Sequence, residues 1–243
     1  MKNIFSLSLM AVLILFSFSS CDSLQSALDE ASKLNGGTAA LTQAQIGEGL
    51  KQALKQGASK GASQLAARDG FFKNPSVKIL FPAEAKQVES RLRALGAGNL
   101  VDDAIEKLNR SAEDASKSAK DIFVKAITQM TIQDATNILM GDKDACTSYL
   151  KRTTSNQLYQ SFQPVIKRSL NKTGALNAWN NVMTRYNKIP LVQKVNPDLD
   201  DHVTNKAMEG LFKMVEKEEA NIRANPVARA TDLMKKVFAK QDK

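Results

Sequence analysis

Between Leu199 and Ile222 the apolar residues Leu199, Val203, Ala207, Leu211, Val215 and Ile222 recur at steps of four and seven. Such steps keep side chains on one stripe of an α-helix, whereas a half-buried strand needs strict alternation. The same spacing joins Ile46, Leu50, Leu54, Gly57, Gly61 and Leu65, then Val101, Ile105, Leu108 and Ala112, then Leu158, Phe162, Ile166 and Leu170. A chain built of such stripes must bury them against one another. The expected fold is all-α, an irregular bundle of about eight helices with two extended connections bounded by proline.

End signals divide the stripes. Thr42-Gln43-Ala44-Gln45 fits a capping box, and small residues at Gly57 and Gly61 let a second helix approach closely. Ala83–Leu95 carries Val88, Leu92 and Leu95 and stops at Gly96, and Ala119–Met130 continues through Ile122, Phe123 and Ile127. Thr131 caps a short helix with Ile132, Ala135 and Leu139, which Gly141 ends. Thr154-Ser155-Asn156-Gln157 reads as a fresh start, Pro164 as a kink and Gly174 as a stop before Leu176, Trp179, Val182, Met183 and Tyr186. Asp198 is placed to cap the long acidic helix. Asn225-Pro226 is placed to open a last one with Leu233, Val237 and Phe238. The two connections are Phe71–Pro82 and Ile189–Pro197. In the first, Val77, Ile79 and Phe81 alternate, which suits a crossover that plugs the core better than an exposed docking strip.

The first twenty residues read as an address. Lys2 precedes an apolar run from Ile4 to Phe18, then Ser19, Ser20 and Cys21. Residues 1–20 have the form of a secretory signal, and the run is shorter than the roughly twenty residues a membrane-spanning helix requires. Cys21 after Phe18-Ser19-Ser20 resembles a bacterial lipobox, with Phe18 where Leu is usual. That resemblance implies lipid attachment at Cys21, hence a chain anchored to a membrane of the cell envelope with its domain outside the cytoplasm. Residues 21–41, with Gly36-Gly37, form a flexible spacer, and 42–243 a single helical domain.

Composition narrows the chemistry. The 243 residues include 34 Lys plus Arg against 25 Asp plus Glu, a single His and two Cys, so neither a disulfide framework nor a multi-His zinc site can be built. No P-loop, dinucleotide fingerprint, zincin helix or nucleophile elbow occurs. Cys146 and His202 could form a nucleophile pair only if folding brings them together; a packed thiol beside Tyr149 and Leu150 is the simpler reading.

Two charged regions are candidate sites. From Asp198 to Glu219 seven acids stand against three lysines. Asp198, Asp201, His202 and Glu209 are weak metal-ligand candidates. A hard cation wants about six converging oxygens, more than one helix presents, and acids at a helix start already complement its dipole. Residues 142–194 are basic, and Lys151, Arg152, Lys167, Arg168, Lys172 and Arg185 outline a candidate face for an anionic envelope component or a protein partner. The competing reading is a solvated face with the interleaved aromatics turned inward. Nucleic acid is not an expected partner for an exported chain, and no cofactor is expected.

Three strings carry a family resemblance: Ile122 to Ala135, Asp200 to Phe212, and Glu216 to Leu233 with its Ile222-Arg223-Ala224-Asn225-Pro226 centre. Together they resemble the bacterial envelope proteins grouped as domain-of-unknown-function family 4197, over roughly residues 42 to 239. The resemblance implies an all-helical fold and brings no catalytic residues. The expected function is a non-enzymatic binding or interaction domain. The alternatives are a metal-assisted enzyme using the helix 198–219, or a carrier of an apolar ligand between helices near Phe81, Phe123 and Trp179.

Overall fold

The computed structural model describes residues 41–172, 174, 176–177, 179–180, 194 and 198–239. Contacts divide the chain into Met1–Leu41 and Thr42–Lys243, and the second unit holds nearly all of the described residues. The signal segment, Cys21, the spacer up to residue 40, Val182, Met183, Arg185, Tyr186 and nearly all of the second connection lie outside the described residues, as does the side chain of Leu92.

Eight α-helices occur among the described residues: α1 (Gln43–Ala66), α2 (Lys86–Ala94), α3 (Gly98–Ser116), α4 (Ala119–Thr128), α5 (Ile132–Met140), α6 (Ala145–Lys172), α7 (Leu199–Ala224) and α8 (Asp232–Phe238). No strand is found among these residues, so the fold is the expected all-α bundle. The capping boxes form as the sequence implies. Thr42 accepts from the Gln45 N–H while Gln45 reaches back to the Thr42 N–H. Thr131 and Asp134 do the same at α5.

Helix α1 is the centre of the bundle, packing on α3, α4, α5, α7 and α8. Leu50, Leu54 and Leu65 are buried on it, and so are Ala53, Ala58 and Ala62. At Gly61 an added Cβ would lie 3.3 Å from backbone atoms of Met214 and Val215. The close approach of α1 to α7 therefore requires a glycine there.

The two longest helices bury the predicted stripes. Leu199, Val203, Ala207, Leu211, Val215 and Ile222 all face the core. On α6 the buried set is Thr147 together with Cys146, Leu150, Thr154, Leu158, Phe162, Ile166 and Leu170, the last seven stepped by four. A step of four overshoots one turn by about 40°, so the stripe winds around the helix and meets α3, α4, α5 and α7. Thr154 does not restart the chain. Its hydroxyl donates to the Leu150 carbonyl at 2.6 Å, a satisfaction available inside a helix, and α6 runs on through Pro164 to Lys172.

Other expectations need correction. Helix α2 ends at Ala94, leaving Leu95 82% exposed. Ile132 is 49% exposed at the first turn of α5, outside its buried stripe. Asp198 occupies the cap position of α7 without a side-chain capping bond. Asn225-Pro226 opens only the 3₁₀ turn Pro226–Ala228, and α8 starts at Asp232 under a Thr231 cap. The cause is Arg229, wholly buried, which donates to the Ile222 and Arg223 carbonyls at 3.1 and 3.0 Å. It satisfies the open end of α7 and holds the chain in a turn before α8 can begin.

Candidate functional site: a cation-lined trough

The first connection forms one wall. At its entry Asp69 adopts a left-handed φ of 69°, tolerable for a short polar side chain. Arg110 donates to Asp69 at 2.7 Å and to Glu113 at 2.8 Å. The Arg110 guanidinium, with Lys73, holds the Asp69 carboxyl below the usual carboxylate range. Buried Glu113 also accepts from the N–H groups of Phe71 and Phe72 at 3.1 and 3.2 Å. Further on, wholly buried Asn109 accepts from the Ile79 N–H and donates to the Ile79 carbonyl, both at 2.8 Å. Its amide thus supplies both bonds that a neighbouring strand would make. With Val77 and Ile79 buried, the alternate residues Lys78 and Leu80 face outward. The core-plugging reading of this connection is the one the structure takes.

Helix α7 forms the other wall. Gly210 allows the contact, since a Cβ there would lie 2.9 Å from Phe71 Cε1 and 3.2 Å from Val77 Cβ. Two links tie the walls together. Lys213 Nζ donates to the Ser76 carbonyl at 3.0 Å, and His202 Nε2, facing a carbonyl that can only accept, donates to Leu80 at 3.0 Å. Between the walls lies an open trough of about 390 Å³, lined by Lys78, Lys86, Lys206 and Lys213, with His202 and one acid, Glu209. Lys78 also sits 4.6 Å from the centre of the Phe72 ring. Glu209 pairs with Lys206 at 2.6 Å, both of them exposed. An exposed pair of that kind contributes at most about 1 kcal/mol and is readily exchanged.

Of the four metal-ligand candidates, His202 and Glu209 reach this trough and Asp201 turns elsewhere. Asp201 accepts from the Tyr159 hydroxyl at 2.7 Å, which with burial pushes the phenol up to about 12. The remaining acids of α7 also diverge. Asp200 accepts from Gln163 at 2.7 Å, Glu218 pairs with Lys60 at 2.8 Å, and Glu219 points at the start of α6. Among the described residues no three His, Cys, Asp or Glu converge on one point.

Cys146 is buried, and desolvation with the nearby Glu219 carboxylate pushes its thiol well up. Its amide binds Glu219, seventeen residues along α7 from His202, or about 25 Å at the rise of a helix. The two are not a nucleophile pair. The cavity beside Cys146 is about 20 Å³, room for little more than one water. Of the three aromatic residues named for an apolar ligand, Phe81 stacks on Trp179 at 5.7 Å and Phe123 packs on Phe212 at 5.9 Å.

On α6, Lys151, Arg152, Lys167, Arg168 and Lys172 are all exposed, while Phe162 and Trp179 are buried and Tyr149 and Tyr159 half-buried. The first pair and the second stand sixteen residues apart, about 24 Å along the helix, so they do not form one cluster. The lysines that do cluster come from sequence segments more than a hundred residues apart. The signal that could have found them is the run Lys206, Glu209, Lys213 on the outer side of a helix whose inner stripe was legible.

The fold and this surface define an all-helical domain, organised around a central helix and carrying a cation-lined trough between an irregular crossover and a long helix. The chain belongs to the family described as protein of unknown function (DUF4197), whose sequence model matches residues 40–239. Comparison with curated proteins and with solved structures returns no match.

Proposed function

We propose that this chain is a lipid-anchored protein of the bacterial envelope whose helical body binds an anionic component through the trough. The observation that carries the reading is that Lys78, Lys86, Lys206 and Lys213 line about 390 Å³ with a single carboxylate, Glu209. Like charges gathered in a concavity raise the local concentration of counter-charged ligand. The anchoring half rests on Cys21 and the apolar run before it. No described helix is long and apolar enough to cross a membrane. A binding role is favoured over catalysis because the acids of α7 are taken up by separate partners and the Cys146 thiol is buried.

Native mass spectrometry of the full chain purified from its own envelope tests the binding half. A bound anionic mass that high salt releases supports it, and a bare acylated chain under all conditions overturns it. For the anchor, Cys21→Ser releases the protein into the soluble envelope fraction; retention of that variant in the membrane contradicts the assignment.

A further inference from the structure

His202 is the only histidine of the chain, and it lines the trough. Imidazole is the side chain whose ordinary charge change falls between about pH 5 and 8, where lysines stay cationic and carboxylates anionic. The geometry fixes which proton can come and go. Nε2 lies 3.0 Å from the Leu80 carbonyl, an oxygen that only accepts, so Nε2 keeps its proton whether the ring is neutral or charged. Titration therefore falls on Nδ1, and the link between the two walls persists through it. What changes is the charge that His202 presents to the trough.

The surroundings are of mixed sign. On α7 itself Asp198 and Asp201 precede His202 by four residues and one, and Lys206 and Glu209 follow by four and seven. The crossover brings Lys78, and the first residue of α2 is Lys86. From α3, Asp102 stands close to Arg93 and Lys78, which hold its carboxyl low. From α6, Tyr159 is bonded to Asp201, and Lys167 lies 4.0 Å from Asp200. Within the lining, four lysines oppose a charge on His202 and Glu209 alone favours it. An anion held among the lysines reverses that balance, because it attracts the charge that they repel. Proton and anion then strengthen each other's binding by the same factor.

We infer that His202 makes the trough acid-sensitive: charging its imidazole adds a cation to the lining, so an anion is held more tightly as the pH falls from about 8 to about 5.5. This rests on reading the trough as an anion site, and it adds the condition under which that site is strongest. Binding takes up a proton, and release returns it.

The probe for the test is myo-inositol hexasulfate, whose sulfate groups stay ionised across this range, so that any pH effect belongs to the protein. Isothermal titration of the full chain at low ionic strength should give saturable binding at both pH values, tighter at the acid one by about fivefold or more. At pH of about 6.5, titration in two buffers of different ionisation heat should show proton uptake on binding. His202→Gln keeps an N–H donor for the Leu80 carbonyl and cannot titrate. Its two affinities should agree within about twofold, and its proton uptake should vanish. Lys206→Glu, at an exposed position, should weaken binding at both pH values by about tenfold or more, which locates the probe in the trough. Binding that depends on Lys206 but not on pH overturns the role of His202 and leaves the trough as an anion site. A pH effect that persists in His202→Gln overturns that role as well. No saturable binding, or binding indifferent to Lys206→Glu, overturns the trough reading and this inference with it. If His202→Gln does not fold, proton uptake by the parent still decides: its presence supports the inference and its absence overturns it.

Discussion

The middle of α7 and its C-terminal end handle charge in opposite ways. Near its C-terminus Glu218 and Glu219 are buried and each has a dedicated internal partner. Glu219 accepts from the N–H groups of Cys146 and Thr147 at 3.0 and 2.9 Å and from the Thr147 hydroxyl at 2.8 Å, so it caps α6 from another helix. Arg223 completes the arrangement at 3.1 Å. Along its middle the same helix presents Lys206, Glu209 and Lys213 exposed to an open trough. The end spends its charge on holding helices together, and the middle leaves charge available. Composition cannot separate these uses, because burial decides between them.

The comparison breaks most easily at Glu219. Glu219→Ala removes the cap of α6 and takes from Arg223 its only carboxylate among the described residues. The Arg223 side chain is 13% exposed and keeps the Ile138 and Leu139 carbonyls as acceptors. Urea unfolding should show a loss of about 3–5 kcal/mol, the range for removing one partner of a buried pair. A loss below 1 kcal/mol would mean that the buried end is no more structural than the open middle.

Asn109→Leu comes next. It leaves the Ile79 N–H and carbonyl without the Asn109 partner and costs about 2–6 kcal/mol at about 1–3 per buried group. Because Ile79 positions the crossover, the same change should also weaken ligand binding, which Glu219→Ala at the far end should not do in the folded fraction.

Tyr159 gives a smaller, pH-dependent effect. Its bond to Asp201 raises the phenol to about 12, so the neutral form is favoured in the folded chain. That contribution is complete below pH 10, the ordinary phenol value, and is lost as pH rises through about 12. Tyr159→Phe should therefore flatten the fall in stability over that alkaline window; an unchanged slope contradicts the assignment.

Lys206→Ala should be the least disruptive. An exposed lysine paired with one exposed glutamate changes stability by about 0.5 kcal/mol or less. Its effect should appear only in binding, which sharpens the division between the middle and the end of α7.

These regions also differ in how far the sequence disclosed them. Local chemistry was legible: Thr42 with Gln45 and Thr131 with Asp134 are three residues apart, and the stripe of α7 repeats within a single helix. What escaped was side-chain pairing with distant backbone. Asn109 meets Ile79 across 30 residues, Glu113 meets Phe71 across 42, and Glu219 meets Thr147 across 72. Nothing in the local pattern of a polar residue tells whether it will face water or a neighbour's amide. Thr154 failed for the converse reason, since a threonine that can cap a helix can also bond its own helix at the preceding turn. The trough is divided between Lys78 and Lys213, segments that no local pattern joins; of its polar lining only His202 and Glu209 stand out in the sequence, as weak metal-ligand candidates, and its four lysines lie outside the basic middle.

The most direct test of the account is hydrogen–deuterium exchange of the full chain with and without saturating myo-inositol hexasulfate. Slowed exchange confined to the crossover at Ser76–Lys86 is the predicted result, with α6 between Lys151 and Lys172 unchanged. Protection along α6 in place of the crossover, or exchange that does not respond at all, would contradict it.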